Sequence, residues 1–431
     1  MYYRSIFMKL FAFLCLSCFL IGCSSKKESS SAQTSGRGSV KNYSALPTLT
    51  CLETNYKVNT HKISYETVGV DGSSKVNASA AVLIPEFPLG GKSNAQTLMY
   101  FHGTIFERAD APSEFKDDSS LGNLEFATSP ACSGFVVVLP DYLGLGEDTT
   151  QMHPHSHAKS LASASIDALR AAQSFLRNEK NISINATNLF LTGFSEGGYA
   201  TMVTHKEIQE NHGADFIVKA SYPIAGNFDL SGTMYSAVIN SSSPFTDTTT
   251  DGDTLHGIAF LPYIFLTYLN TGSRTDSISD ILIDGLSDIH SKYDMNTSQD
   301  DITTYINSAL SSDKQDILKE IIKPDYITQL EANANHSLRQ YLAENDAYKW
   351  RPETRMLMIS CDGDNIVPPA NMDVAYNYMK NTAGSTTVEK QLLTADSHVD
   401  CLTPAVTVIY NDIVNLLGFS KMTINSVRVS D

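Results

Sequence analysis

The sequence predicts an α/β protein in which a mostly parallel central sheet is covered by helices and interrupted by a helical cap. Three observations carry this reading. Short β-rich runs alternate with helical stretches from about residue 61 onward, the pattern of strands joined by crossover helices. Several runs, such as Phe135-Val136-Val137-Val138-Leu139, are continuously apolar, as strands buried on both faces must be. The alternation stops at Gly226, and the following segment carries helical periodicity without strong strand signals. It is too long for a connection and reads as a subdomain.

Taken in order, strands are expected near 61–68, 76–84, 97–101, 135–139, 188–191, 217–222, 355–360 and 386–393, with helices at 158–177, 197–211, 370–380 and 404–417. The cap spans about 228–350, inside a domain running from 51 to 431. A chain of 431 residues, 42% of them hydrophobic, is long enough for one large domain with such an insertion. Within the cap, 258–269 is the most apolar stretch. It is too short to span a membrane and reads either as a buried cap helix or as a lid surface that meets lipid.

The N-terminus carries Arg4 and Lys9 and then an apolar run over 10–21, the layout of an export signal. Leu20-Ile21-Gly22-Cys23 closes it and resembles the lipobox of bacterial lipoproteins. That resemblance implies a signal peptide over 1–22, acylation of Cys23 and membrane anchoring through it. Ser24 after the Cys would then favour the outer membrane of a Gram-negative cell. Residues 23–50 read as a tether, since 24–39 are mostly Ser, Lys, Gly and Gln and bury too little surface to fold.

The formal charge of -16 argues against nucleic acid as a partner, because phosphate backbones are bound by clustered positive charge. Of the seven cysteines, Cys15 and Cys18 lie in the signal. Four remain beyond Cys23, an even set that in an exported protein predicts up to two disulfides.

The chemistry centres on Gly193-Phe194-Ser195-Glu196-Gly197, preceded by the apolar run Leu189-Phe190-Leu191 and followed by a helix. A G-x-S-x-G turn in that setting matches a nucleophile elbow, with Ser195 as the nucleophile. The base must follow the acid in this arrangement, and of eleven histidines only His398 lies beyond the last acid loop. The acid should follow strand 355–360, where Asp362 and Asp364 both occur. Asp364, three residues before Val367-Pro368, is the preferred partner of His398, and Asp362 is read as a turn residue. Oxyanion donors are expected from the backbone amides of Glu196 and of Thr104 or Gly103, with His102 orienting that second loop. His153, His155 and His157 alternate in an extended segment and could chelate a metal. No Cys or carboxylate of ligand spacing accompanies them, so a solvated loop is the preferred reading and no metal is assigned.

The acid and base also order the cysteines. Cys361 lies three residues before Asp364 and Cys401 three after His398. If those side chains meet, the two cysteines come within bridging range, leaving Cys51 to pair with Cys132.

Beyond the elbow, Pro140-Asp141-Tyr142-Leu143-Gly144-Leu145-Gly146, His153-Pro154, Ser165-Ile166-Asp167-Ala168-Leu169-Arg170-Ala171 and Asn345-Asp346-Ala347-Tyr348-Lys349-Trp350-Arg351-Pro352 resemble the secretory lipase family and related bacterial lipases and esterases. The resemblance implies an α/β-hydrolase fold with a helical cap over an acyl pocket. It also implies hydrolysis of carboxylic esters, often of lipids such as acylglycerols, without a cofactor. One departure is His155, where many relatives have an aromatic residue after the Pro. Two rivals remain: a serine peptidase of the same fold, disfavoured because only a tether precedes the catalytic region, and a non-catalytic surface-binding protein, disfavoured because no triad member is missing.

Overall fold

In the computed structural model of the chain, residues 36–117, 124–248, 254–271, 274–418 and 427–429 are described. The strands are β1 (Val40–Ala45), β2 (Leu49–Cys51), β3 (Lys57–Val68), β4 (Lys75–Pro85), β5 (Ala95–Phe101), β6 (Val136–Pro140), β7 (Ile184–Phe194), β8 (Val218–Ile224), β9 (Thr246–Thr248), β10 (Thr254–His256), β11 (Arg355–Cys361), β12 (Val388–Leu393) and β13 (Val427–Val429). The main sheet runs β12-β11-β8-β7-β5-β6-β4-β3-β2-β13, with β1 paired to β3. From β12 to β6 every pairing is parallel; beyond β6 every one is antiparallel. This mostly parallel sheet flanked by helices, with helical insertions, is the α/β-hydrolase fold that the alternation in the sequence predicts.

The period of two along each strand divides the core into two layers. Val136, Val138, Leu189, Leu191, Met99 and Phe101 face one side, whereas Val137, Leu139, Phe190, Leu98 and Tyr100 face the other. Helices Ala158–Lys180 and Glu196–Asn211 cover the first layer, and Glu125–Cys132 and Leu402–Leu417 the second. The long helix ends where Asn181 takes a left-handed backbone, with Arg177 and Lys180 in its last turn, a termination that places positive side chains beside the helix's negative end.

Parallel strands leave all their carboxyl ends on one edge. The segments after β5, β7, β8, β11 and β12 lie there side by side, and they carry Thr104, Ser195, Gly226, Asp364 and His398. Loops at that edge are where an open α/β sheet builds its sites.

Two parts of the chain differ from the sequence reading. Within the segment read as tether, Val40–Ala45 and Leu49–Cys51 are strands. They gain backbone partners from β3, and Tyr43 stacks at 5.0 Å on Phe175, contacts that local composition does not announce. The segment 228–350 is mainly helical but also holds the β9–β10 hairpin.

Membrane anchoring and an outer-membrane lipoprotein location do not stand. The four described cysteines are bonded to one another, Cys51 to Cys132 and Cys361 to Cys401, with Cα–Cα distances of 5.8 and 5.7 Å. No helix among the described residues is long and apolar enough to cross a membrane. Cys23 and the segment 1–22 lie outside the described residues, so no part of the described fold supports a lipid anchor.

Candidate active site

Ser195 joins the end of β7 to helix Glu196–Asn211 with φ 60° and ψ -121°, a backbone state that costs a non-glycine residue about 1–3 kcal/mol. The surrounding glycines make the turn possible. A Cβ on Gly197 would lie 2.0 Å from the Phe101 carbonyl oxygen, and one on Gly193 would lie 2.5 Å from the carbonyl oxygens of Phe101 and Gly197. The amide of Ser195 donates to Ile224 O at 3.0 Å, tying the elbow to the neighbouring strand. Glu196 is the first helical residue, so its N–H is among those a helix leaves without an internal partner.

After β12, three strands from β7, the buried ring of His398 donates from Nδ1 to Asp364 Oδ2, after β11, at 2.7 Å. The other carboxylate oxygen of Asp364 accepts the amides of Ile366 (3.1 Å) and Val367 (2.8 Å). Asp362 instead accepts from Thr394 Oγ1 (3.1 Å) and the Ala395 amide (3.3 Å). It therefore holds the two loops together but does not bond the imidazole. The Cys361–Cys401 bridge joins the same loops. The ring of Phe194 lies 4.5 Å from that of His398, which brings the imidazole beside the elbow. Ser195 Oγ and His398 are not hydrogen-bonded to each other among the described residues; such bonds often tighten only when substrate is bound.

One contact here is not legible from local sequence. Asp247, on β9, accepts the backbone N–H of His398, and Asn365 beside Asp364 donates to Thr246 O at 2.7 Å. The hairpin thus grips both the Asp364 and the His398 loops. Burial pushes the Asp247 carboxyl up from its ordinary range, against the hydrogen bond from His398.

The loop after β5 meets the elbow directly, since a Cβ on Gly103 would stand 3.7 Å from Ser195 Cβ. His102 is buried behind it, with Nδ1 2.6 Å from Gly103 O and burial lowering its pKa to about 4. The three histidines read as a solvated loop are in fact all buried; His157 bonds Ser160 Oγ, whereas His153 and His155 face Glu196. Its carboxylate points inward, 3.0 Å from His153 Nε2 and 2.9 Å from the Ser156 amide. His153 Nδ1 faces Leu143 O at 2.9 Å. Burial would raise the Glu196 carboxyl, but the facing His155 and His153 rings, with the hydrogen bonds from His153 and the Ser156 amide, outweigh it and hold it below its ordinary range. Burial also draws His155 down to about 4 and keeps it neutral. The hold on the carboxylate then falls to His153 and the Ser156 N–H. No group of three His, Cys, Asp or Glu residues among the described ones is arranged to hold a metal ion.

Above Ser195 lies a cavity of about 110 Å³ whose polar lining is Thr104, His155, Ser195, Glu196 and Asn227. The rest is almost wholly apolar, with Met234, Phe260, Ile264 and Leu338 among the residues contributed by 228–350. Helix Phe260–Asn270 is the apolar stretch noted in the sequence. Leu261 and Phe265 are buried in it and also face the cavity, so it is a packed wall.

Solved structures with this architecture exist. The chain is 25% identical to a Legionella pneumophila protein assigned as a hydrolase, at a TM-score of 0.74, over 89% of this chain and 100% of that one. It is also 25% identical to the rice cell wall degrading esterase LipA from Xanthomonas oryzae, at 0.67, over 89% and 98% of the two chains. Candida antarctica lipase A shares the fold at 14% identity and a TM-score of 0.60, over 90% and 84%. No family model matches the chain, and no curated protein matches it either.

Proposed function

We propose that this α/β-hydrolase, a carboxylic ester hydrolase by class, cleaves acyl esters through Ser195, His398 and Asp364 by way of an acyl-enzyme. His398 takes the proton of Ser195 as Oγ adds to the ester carbonyl carbon. The carbonyl π pair moves onto oxygen, where the amides of Glu196 and of Thr104 or Gly103 receive the charge. His398 then protonates the departing alcohol. Water, deprotonated by the same ring, releases the acid and regenerates Ser195. Asp364 keeps the proton of the ring on Nδ1, so that Nε2 is free to accept.

The observation that carries this reading is the bonded His398–Asp364 pair at the same sheet edge as a strained serine. The apolar cavity over Ser195 favours a hydrocarbon acyl group, as in a lipid or acylglycerol ester, over a peptide. The motif likeness to secretory lipases agrees. A panel of nitrophenyl esters from acetyl to palmitoyl, with a peptide amide alongside, tests it. Ester turnover with a clear preference along the acyl series is expected, and cleavage of the amide at a comparable rate would reverse the substrate assignment.

A further inference from the structure

Thr104 reaches the cavity with a hydroxyl as well as a backbone amide. Its Oγ1 lies 2.9 Å from His155 Nε2, and the groups behind His155 fix the direction of that bond. Asn227 turns its amide nitrogen, a donor only, to Ser156 Oγ at 2.8 Å. Ser156 Oγ, having accepted, is left to donate, and its next contact is His155 Nδ1 at 3.1 Å. Nδ1 therefore accepts, and the single proton of a neutral imidazole sits on Nε2. A second observation agrees. Nε2 also faces Glu196 Oε2 at 3.6 Å, a buried carboxylate oxygen with no hydrogen-bond partner, which favours an N–H over a lone pair at that spot. Nε2–H thus donates to Thr104 Oγ1, and the hydroxyl hydrogen of Thr104 is left to point elsewhere. Thr104 and Ser195 line the same cavity.

We propose that the Thr104 hydroxyl is a third donor of the oxyanion hole, joining the backbone amides, and that His155 is the positioning residue that aims it. The proposal rests on the acyl-transfer reading above. As Ser195 Oγ adds to the carbonyl carbon and the π pair moves onto oxygen, the Thr104 O–H closes on that oxygen. It transfers no proton, and it relaxes when the carbonyl reforms and the alcohol leaves. His155 is buried. Its ring is also stacked at 5.0 Å on Tyr263, which fixes its plane.

The test compares Thr104→Val, Thr104→Ser and His155→Phe with the parent, after checking that each unfolds at a similar temperature. Two readouts are taken: kcat and KM on a nitrophenyl ester, and inhibition by an alkylboronic acid, whose tetrahedral adduct on serine places an oxygen in the oxyanion hole. Thr104→Val should lower kcat about 100-fold, the loss of one oxyanion donor, with KM within about twofold, and should weaken the boronic acid by a similar factor. Thr104→Ser, which keeps the hydroxyl, should recover most of the kcat that Thr104→Val loses. His155→Phe, which leaves the hydroxyl in place but unaimed, should lose about tenfold in kcat. Parental kcat in Thr104→Val or in His155→Phe overturns the proposal, as does a Thr104→Ser as poor as the Val variant. Ser195→Ala separates the two readings. If it is inert while Thr104→Val is unimpaired, only the third donor fails; if it keeps parental activity, the acyl-transfer reading fails with it.

Discussion

Asp364→Asn exchanges one oxygen of the carboxylate for an NH2 group at the contact that aims His398. The Ile366 and Val367 amides both point at Asp364 Oδ1 and require an acceptor there, so the new NH2 must occupy the Oδ2 position, 2.7 Å from His398 Nδ1. Two donors cannot face each other, and the imidazole responds by moving its proton to Nε2. Nε2 is the nitrogen that must accept from Ser195, so the resting enzyme holds the wrong tautomer. The same exchange in a Ser-His-Asp triad costs about 10⁴ in kcat, equivalent to about 5 kcal/mol of activation free energy. Stability should fall much less, by about 2 kcal/mol, as charge-assisted bonds become neutral ones. Asp362→Asn is the matched control. Its two contacts are a hydroxyl and an amide on the 394–395 turn, so its kcat should stay within about tenfold of the parent. Initial rates on a short-chain nitrophenyl ester at neutral pH, with denaturant unfolding of both variants, provide the comparison. A folded Asp364→Asn within tenfold of the parent, or an Asp362→Asn that is the more damaged of the two, would refute the reasoning.

Further outcomes follow from the same structure. Replacing Cys361 and Cys401 together by Ser opens a loop of 40 residues, which by chain entropy should cost about 4 kcal/mol; urea unfolding of the double variant measures it, and an unchanged midpoint would count against the brace. Gly197→Ala would place a Cβ 2.0 Å from Phe101 O and should destabilise by about 3 kcal/mol or more with loss of ester turnover, whereas a stable, active variant would contradict the close elbow. Burial lowers His102 and His155 to about 4 and His205 to about 3. The stability they contribute is therefore complete above the unfolded value near 6.5 and is lost as pH falls toward 4. At about 3 kcal/mol each, three such groups are comparable with the roughly 5–15 kcal/mol of an ordinary domain. Unfolding free energy should thus fall steeply between pH 6.5 and 4, and a flat profile over that range would show that these rings are not buried neutral.

The strands that carry the site were legible because parallel strands advertise themselves. Phe135 to Leu139 and Leu189 to Leu191 are apolar on both faces, and they lie in β6 and β7 or beside them. The chain order of serine, acid and histidine came from the same one-dimensional record. Features built from contacts distant in sequence were less legible. β1 and β2 are short strands, and β3, near both along the chain but not announced by their composition, supplies their backbone partner. Asp247 meets His398 across 151 residues, and nothing in Thr246-Asp247-Thr248 signals it. His153 and His155 looked solvated because the carboxylate they face, Glu196, sits 40 or more residues away in the elbow. An acidic residue directly after Ser195, in a helix otherwise packed against the sheet, was the available clue. The lipobox likeness at Cys23 could be read from sequence, but the described fold carries no membrane anchor.

The most direct test of the central claim is covalent. A fluorophosphonate probe should label the folded parent once, on the peptide containing Ser195, in step with loss of ester turnover. Ser195→Ala should fold, take up no label and turn over esters at a small fraction of the parental rate. Label recovered on another residue, or near-parental turnover by Ser195→Ala, would contradict the assignment of Ser195 as the nucleophile.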